Sequence, residues 1–137
     1  MKFEGRLTRD GRHWLADIPA FDAMTQGRTK REALAMVEDL VRTMAGVPRL
    51  GVSVESTGRA SFEVGSNRLD VMIGLLLRRQ RERQGLTLAQ AAARLGQRSP
   101  NAYARYEQGR AMPTVEKLEQ LLEAVAPGQR LVWRFAA

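Results

Sequence analysis

Apolar and polar positions alternate along the first eighteen residues. Phe3, Gly5 and Leu7 oppose Glu4, Arg6 and Thr8, then Trp14, Ala16 and Ile18 oppose His13, Leu15 and Asp17. A period of two belongs to half-buried strands, and Arg9-Asp10-Gly11-Arg12 between them predicts a hairpin with Asp10-Gly11 as its central pair. Pro19 stops the second strand; a loop over 20–24 and an extended piece over 25–27 follow. From Thr29 the period changes to that of a helix, with Ala33, Met36, Val37, Leu40, Val41 and Met44 on one face. Thr29-x-x-Glu32 reads as a capping box, and Gly46 with Pro48 closes the helix. Residues 52–54 and 60–64 read as a closing hairpin, and Gly65-Ser66-Asn67 as a flexible linker.

Beyond the linker the helical period dominates. Leu69, Met72, Ile73, Leu76 and Leu77 predict an amphipathic helix. Between Leu86 and Gly109 two short helices are joined by a tight turn, the arrangement that lays a second helix into the major groove of DNA. Thr87 and Gln90 form a capping box for the first of them, whose inward stripe is Ala91, Ala92 and Leu95, and Gly96 stops it. Ser99 caps the second, with Pro100 at its first position. Tyr103 and Tyr106 then face inward and Asn101, Ala102 and Arg105 outward. Thr114 caps a last helix lined by Val115, Leu118, Leu121, Leu122 and Val125 and closed by Pro127-Gly128. The alternation of Leu131, Trp133 and Phe135 predicts a C-terminal strand that packs on its own domain or pairs across a dimer.

The expected fold class is α+β: a small antiparallel sheet with one packed helix over 1–64, a linker over 65–67, and an all-α helix-turn-helix domain with a terminal strand over 68–137. Charge follows this division. Residues 1–64 hold 10 Lys/Arg against 9 Asp/Glu, and residues 65–137 hold 12 against 6, so most of the net charge of +7 sits with the helices. Phosphate binding calls for that placement, and the run from Arg78 to Arg83 is either part of it or a solvated face. There are no cysteines, which removes disulfides and thiolate metal sites. With no signal-peptide pattern, a cytoplasmic protein is expected. The longest apolar run, Val71 to Leu77, falls well short of the roughly 20 residues of a bilayer span, so no membrane association is expected.

The segment from Leu86 to Gly109, with a helix before and after it, resembles the Cro/repressor-type helix-turn-helix over about residues 67–127. It departs in an extra residue between Gly96 and Glu107, and in Leu88, where many members carry a DNA-contacting Gln. The candidate base readers are Arg98, Ser99, Asn101, Ala102 and Arg105. Arg pairs bidentately with guanine, Asn with adenine, and a small Ala leaves room for a thymine methyl, each good bidentate pair discriminating by about 1–3 kcal/mol. Thr87, Gln90 and Arg94 are candidates for phosphate contacts that set register, with helix capping as the alternative for Thr87, Gln90 and Ser99.

In the first half, Asp10-Gly11, a strand ending at Pro19, Thr25-Gln26-Gly27-x-Thr29 and Glu32-Ala33-Leu34 resemble the HicB family over about residues 2–46. Ala23-Met24 departs from it, where members often place a Gly and an aromatic or Cys. The resemblance implies an antitoxin of a type II toxin–antitoxin pair. Its partial ribonuclease-H-like domain would block a small basic mRNA-cleaving toxin while the second domain represses the operon. Trp14, Phe21 and Met24 are the candidates for an apolar toxin-facing patch, with a core role as the alternative for Trp14.

No enzyme is expected. Glu4, Asp10 and Asp17 lack the convergence that a metal-dependent ribonuclease site needs, His13 is the single histidine, and no phosphate-cradling glycine loop is present. No cofactor or metal is expected. The partners expected are double-stranded operator DNA and the toxin, with the chain a homodimer or higher even oligomer. The alternatives are a metal-dependent ribonuclease-H-like nuclease and a repressor whose first domain senses a small molecule.

Overall fold

The computed structural model describes residues 1–136. Its strands are β1 (Phe3–Asp10), β2 (His13–Ile18), β3 (Ala23–Gly27), β4 (Val52–Ser56) and β5 (Ser61–Ser66). Its helices are α1 (Lys30–Ala45), α2 (Leu69–Arg83), α3 (Leu88–Arg94), α4 (Asn101–Glu107) and α5 (Val115–Val125), with a single 3-10 turn at Pro19–Phe21. The strands form one antiparallel sheet in the order β3-β2-β1-β5-β4. The pairings Leu7↔Ala16 and Phe3↔Val64 bring the inward residues of three strands onto one face. Gly5 is part of that face because Phe62 lies over it: a Cβ there would sit 2.1 Å from the ring.

The residues of α1 that meet the sheet are Ala33, Val37 and Val41, all fully buried. Met36 is turned away and 40% exposed, and the contact is completed by Leu34, Leu40 and Met44. Thr29 Oγ1 accepts the Glu32 amide at 3.0 Å, but the Glu32 carboxylate accepts the amide of Arg28 and not that of Thr29, so the capping box is displaced by one residue.

Every residue from Val71 to Leu77 is buried, because α2 is covered on more than one side. It packs on the 3-10 turn, α1 and β5, and also on α4 and α5. Sheet and helices therefore share one continuous apolar core running from Phe3 to Val125. Polar bonds reinforce the junction. Gln80, only 2% exposed, donates to the carbonyls of Pro19 and Ala20. Arg79 donates to those of Phe21 and Asp22, and Arg78 to that of Met44. These acceptors account for much of the arginine run: Arg78 and Arg79 tie α2 to the sheet domain and are not left as a free phosphate-binding face.

Four local expectations are corrected. The hairpin turn is centred on Gly11-Arg12, since Asp10 is still paired with His13; positive φ at Gly11 alone is the sign pattern of a type II′ turn. Gly65 and Ser66 belong to β5, opposite Ser53 and Val52, so the polar triplet is no free linker. Val115 is 60% exposed, and the buried residues of α5 are Leu118, Leu121, Ala124 and Val125. No strand forms over 130–135: the described tail is irregular, leaving Trp133 and Phe135 exposed, while Arg134 reaches Glu4 and Glu63 on the open face of the sheet.

Candidate nucleic-acid interface

The geometry of the α3–α4 pair follows from its caps. Thr87 Oγ1 accepts the Gln90 amide at 3.1 Å, and Gln90 Oε1 accepts the Thr87 amide at 2.9 Å, a complete capping box. At the other end Gly96, φ +73°, lets its own amide reach Ala93 O and that of Gln97 reach Ala92 O. That is a Schellman closure, which needs the left-handed conformation a Cβ disfavours. Ser99 Oγ accepts the Asn101 amide at 3.3 Å, but α4 begins at Asn101 with Pro100 in the capping position, one residue later than expected of Ser99 as cap.

α4 is held from beneath by a buried polar triad. Arg81 Nε donates to Glu107 Oε1 at 2.7 Å, Arg81 Nη1 donates to Leu86 O at 2.7 Å, and Tyr103 OH donates to Glu107 Oε1 at 3.1 Å. Burial, then the Glu107 charge, pushes the Tyr103 phenol far above its usual range, so it stays a neutral donor. Burial alone would lower the Arg81 value, but the bond and charge of Glu107 outweigh it and raise it. Close approach of the two helices depends on Gly74 in α2, where a Cβ would lie 2.4 Å from Glu107 O.

With Tyr103 fully buried and Ala104 nearly so, the opposite face of α4 is set outward. Asn101, Ala102 and Arg105 are exposed on it, and Arg98 and Ser99 are exposed at its entrance. Tyr106 is half-buried against the core. Gln108, seven residues beyond Asn101 and exposed, extends the same face, and exposed Arg110 follows it. The helical repeat from Asn101 through Arg105 was the signal for Gln108. Thr87 and Gln90 are exposed but engaged in capping each other. Arg94 donates to Ala124 O at 3.0 Å, closing the end of α5. Leu88 packs against the core.

The apolar patch proposed for the first half does not assemble. Phe21 is fully buried, its ring centroid 4.9 Å from that of Phe3, because the 3-10 turn folds it under the sheet; it is not partner-facing. Trp14 is half-buried beneath Arg9 and Lys30. Met24, 56% exposed on edge strand β3, is the one candidate that stands free. Glu4 pairs with Arg134 and Asp17 with Arg6, while Asp10 ends β1.

Residues 73–132 match the family model of a helix-turn-helix domain. The match spans the latter part of α2, the whole α3–α4 pair and α5. A domain of this kind is consistent with binding DNA and regulating transcription. No curated protein matches the chain. Among the described residues no helix is long and apolar enough to cross a membrane.

Proposed function

We propose that this protein is a sequence-specific transcriptional repressor that reads duplex operator DNA with α4. One observation carries the reading: Asn101, Ala102 and Arg105 are exposed together on a short helix, with Arg98 exposed at its entrance, and the other face of that helix is locked by Tyr103 and Glu107. Base readout needs side chains that project from a support unable to rotate, and this helix provides one. A single such module buries too little surface for tight site-specific binding. The reading therefore includes a two-fold dimer on half-sites about one helical turn, or a multiple, apart.

The finer reading is that of an antitoxin, in which the sheet domain holds a small mRNA-cleaving toxin while the helices repress the shared operon. Its support is the HicB-like pattern of residues 2–46, together with exposed Met24 on edge strand β3, where a partner can add backbone bonds. No catalytic role is assigned to this chain. Selection from a randomised duplex library tests the first reading: a recurring two-fold symmetric motif is expected, and enrichment of none contradicts it. Co-purification with the product of the adjacent gene tests the second. A stable complex that abolishes RNA cleavage is expected, and an adjacent gene whose product neither binds nor cleaves RNA overturns it.

A further inference from the structure

We infer that the hairpin end of the sheet domain is a second phosphate-binding surface, which grips duplex DNA without regard to sequence. The balanced charge of the first half conceals a segregation. Five of its nine acids are paired elsewhere: Glu55 with Lys2, Asp17 with Arg6, Glu38 with Arg42, and Glu4 and Glu63 with Arg134. Asp10 in the hairpin and Glu32, whose carboxylate accepts the Arg28 amide, are the acids that remain at this end. Among the described residues, none of Arg9, Arg12, Arg28, Lys30, Arg31 and Arg59 forms a salt bridge.

Three separate segments bring these cations to one place. The Arg9 guanidinium lies 5.5 Å and the Lys30 ammonium 4.8 Å from the centroid of the Trp14 ring. Trp14 is paired with Gly27, next to Arg28. Lys30 also donates to the carbonyl of Arg59 in the β4–β5 turn, and Arg12 and Arg31 flank the same end. All but Lys30 are exposed. The positive end of the α1 dipole adds to the same field.

Six cations against Asp10 and Glu32 leave an excess of like charge that repels itself, and a polyanion relieves that repulsion while releasing its own counterions. Duplex DNA is the polyanion favoured here, because the same chain carries a helix-turn-helix. A second contact to one polymer gains from the high effective concentration the first provides. Single strands are disfavoured, because Trp14 is half-buried and covered by Arg9 and Lys30, leaving no open ring on which bases could stack. The cations themselves belong to the first half, the choice of duplex DNA as their polyanion rests on the proposed DNA-binding role of the helices, and the inference goes beyond base reading by α4.

The test compares full-length wild type with the triple variant Arg12→Gln, Arg28→Gln, Arg31→Gln. These side chains form no hydrogen bond or ion pair among the described residues, and an unchanged melting temperature confirms the fold. Affinity for a random-sequence duplex is measured as a function of salt. Each phosphate contact contributes about 0.9 to the slope of log K against log salt, so the triple variant should be shallower by about 2 or more. A control carrying Arg49→Gln, Lys117→Gln and Arg130→Gln, with the same net charge, should keep most of the slope. An unchanged slope in the cluster variant, an equal loss in the control, or a loss confined to single strands or polyglutamate overturns the inference. Failure of the α4 reading is separate: wild type would then show no sequence preference, yet the cluster variant would still flatten the slope.

Discussion

Arg81 and Glu107 meet 2.7 Å apart beneath α4, with side chains only 13% and 6% exposed, and their pairing fixes where the outward face of that helix points. Arg81 comes from α2 and Glu107 from the last turn of α4. The pair therefore joins the helix that touches the sheet domain to the helix proposed to touch DNA. Removing one partner strands a buried charge, which costs about 3–5 kcal/mol. Glu107→Ala is expected to lose stability on that scale by chemical denaturation. Tyr103→Phe should lose about 1.5–3 kcal/mol, as for a bond to a charged group.

Gly74 makes a sharper prediction, because two effects oppose each other. In a helix interior, Ala is favoured over Gly by about 1 kcal/mol. At this position the added carbon would sit 2.4 Å from Glu107 O, against backbone that cannot move aside cheaply. Gly74→Ala is therefore expected to lower the melting temperature and to weaken operator binding together. A rise in melting temperature would show that α2 and α4 are not packed this closely.

Because Arg79 and Gln80 bind the 3-10 turn while Arg81 binds Glu107, sheet and helices should unfold as one unit. Calorimetry is expected to give a single transition with matching calorimetric and van't Hoff enthalpies. Replacing both Arg79 and Gln80 by Ala should split that transition in two. Wild type showing two transitions would contradict the shared core.

Acid should expose one further ion pair. The hydrogen bond from Arg68 holds the Asp70 carboxyl below its ordinary value of 3.8, outweighing the opposing effect of burial. A depressed folded value stabilises above the unfolded value, and that contribution disappears as pH falls through the folded one. Wild type should therefore exceed Asp70→Asn in stability at neutral pH, with the gap closing below pH 3.8, followed by denaturation midpoints across pH.

The sequence reveals what is decided within a few residues. Thr87 and Gln90, Gly96 and Thr114 carry their own capping chemistry, and the helices begin and end beside them. Decisions made by distant partners are hidden. The alternation of Leu131, Trp133 and Phe135 suits a strand, but a strand also needs a neighbour, and the described tail has none. Arg78 and Arg79 look like a basic surface until the carbonyls of Met44, Phe21 and Asp22 come into reach. Phe21 reads as a loop aromatic free to meet a partner, and only the tertiary fold shows it against Phe3. In the interface, the outward placement of Asn101, Ala102 and Arg105 was legible from helical repeat; the closure of α5 by Arg94 was not.

The most direct test is base discrimination by α4 on the duplex motif recovered by selection. Wild type and Arg105→Ala are titrated against that motif and against every single-base variant of it. Loss of discrimination by about 1–3 kcal/mol at one base pair of each half-site, with the remaining positions unaffected, is the predicted result. Uniform weakening across all variants, or no change at all, would mean that Arg105 does not read bases and that α4 is not the recognition element.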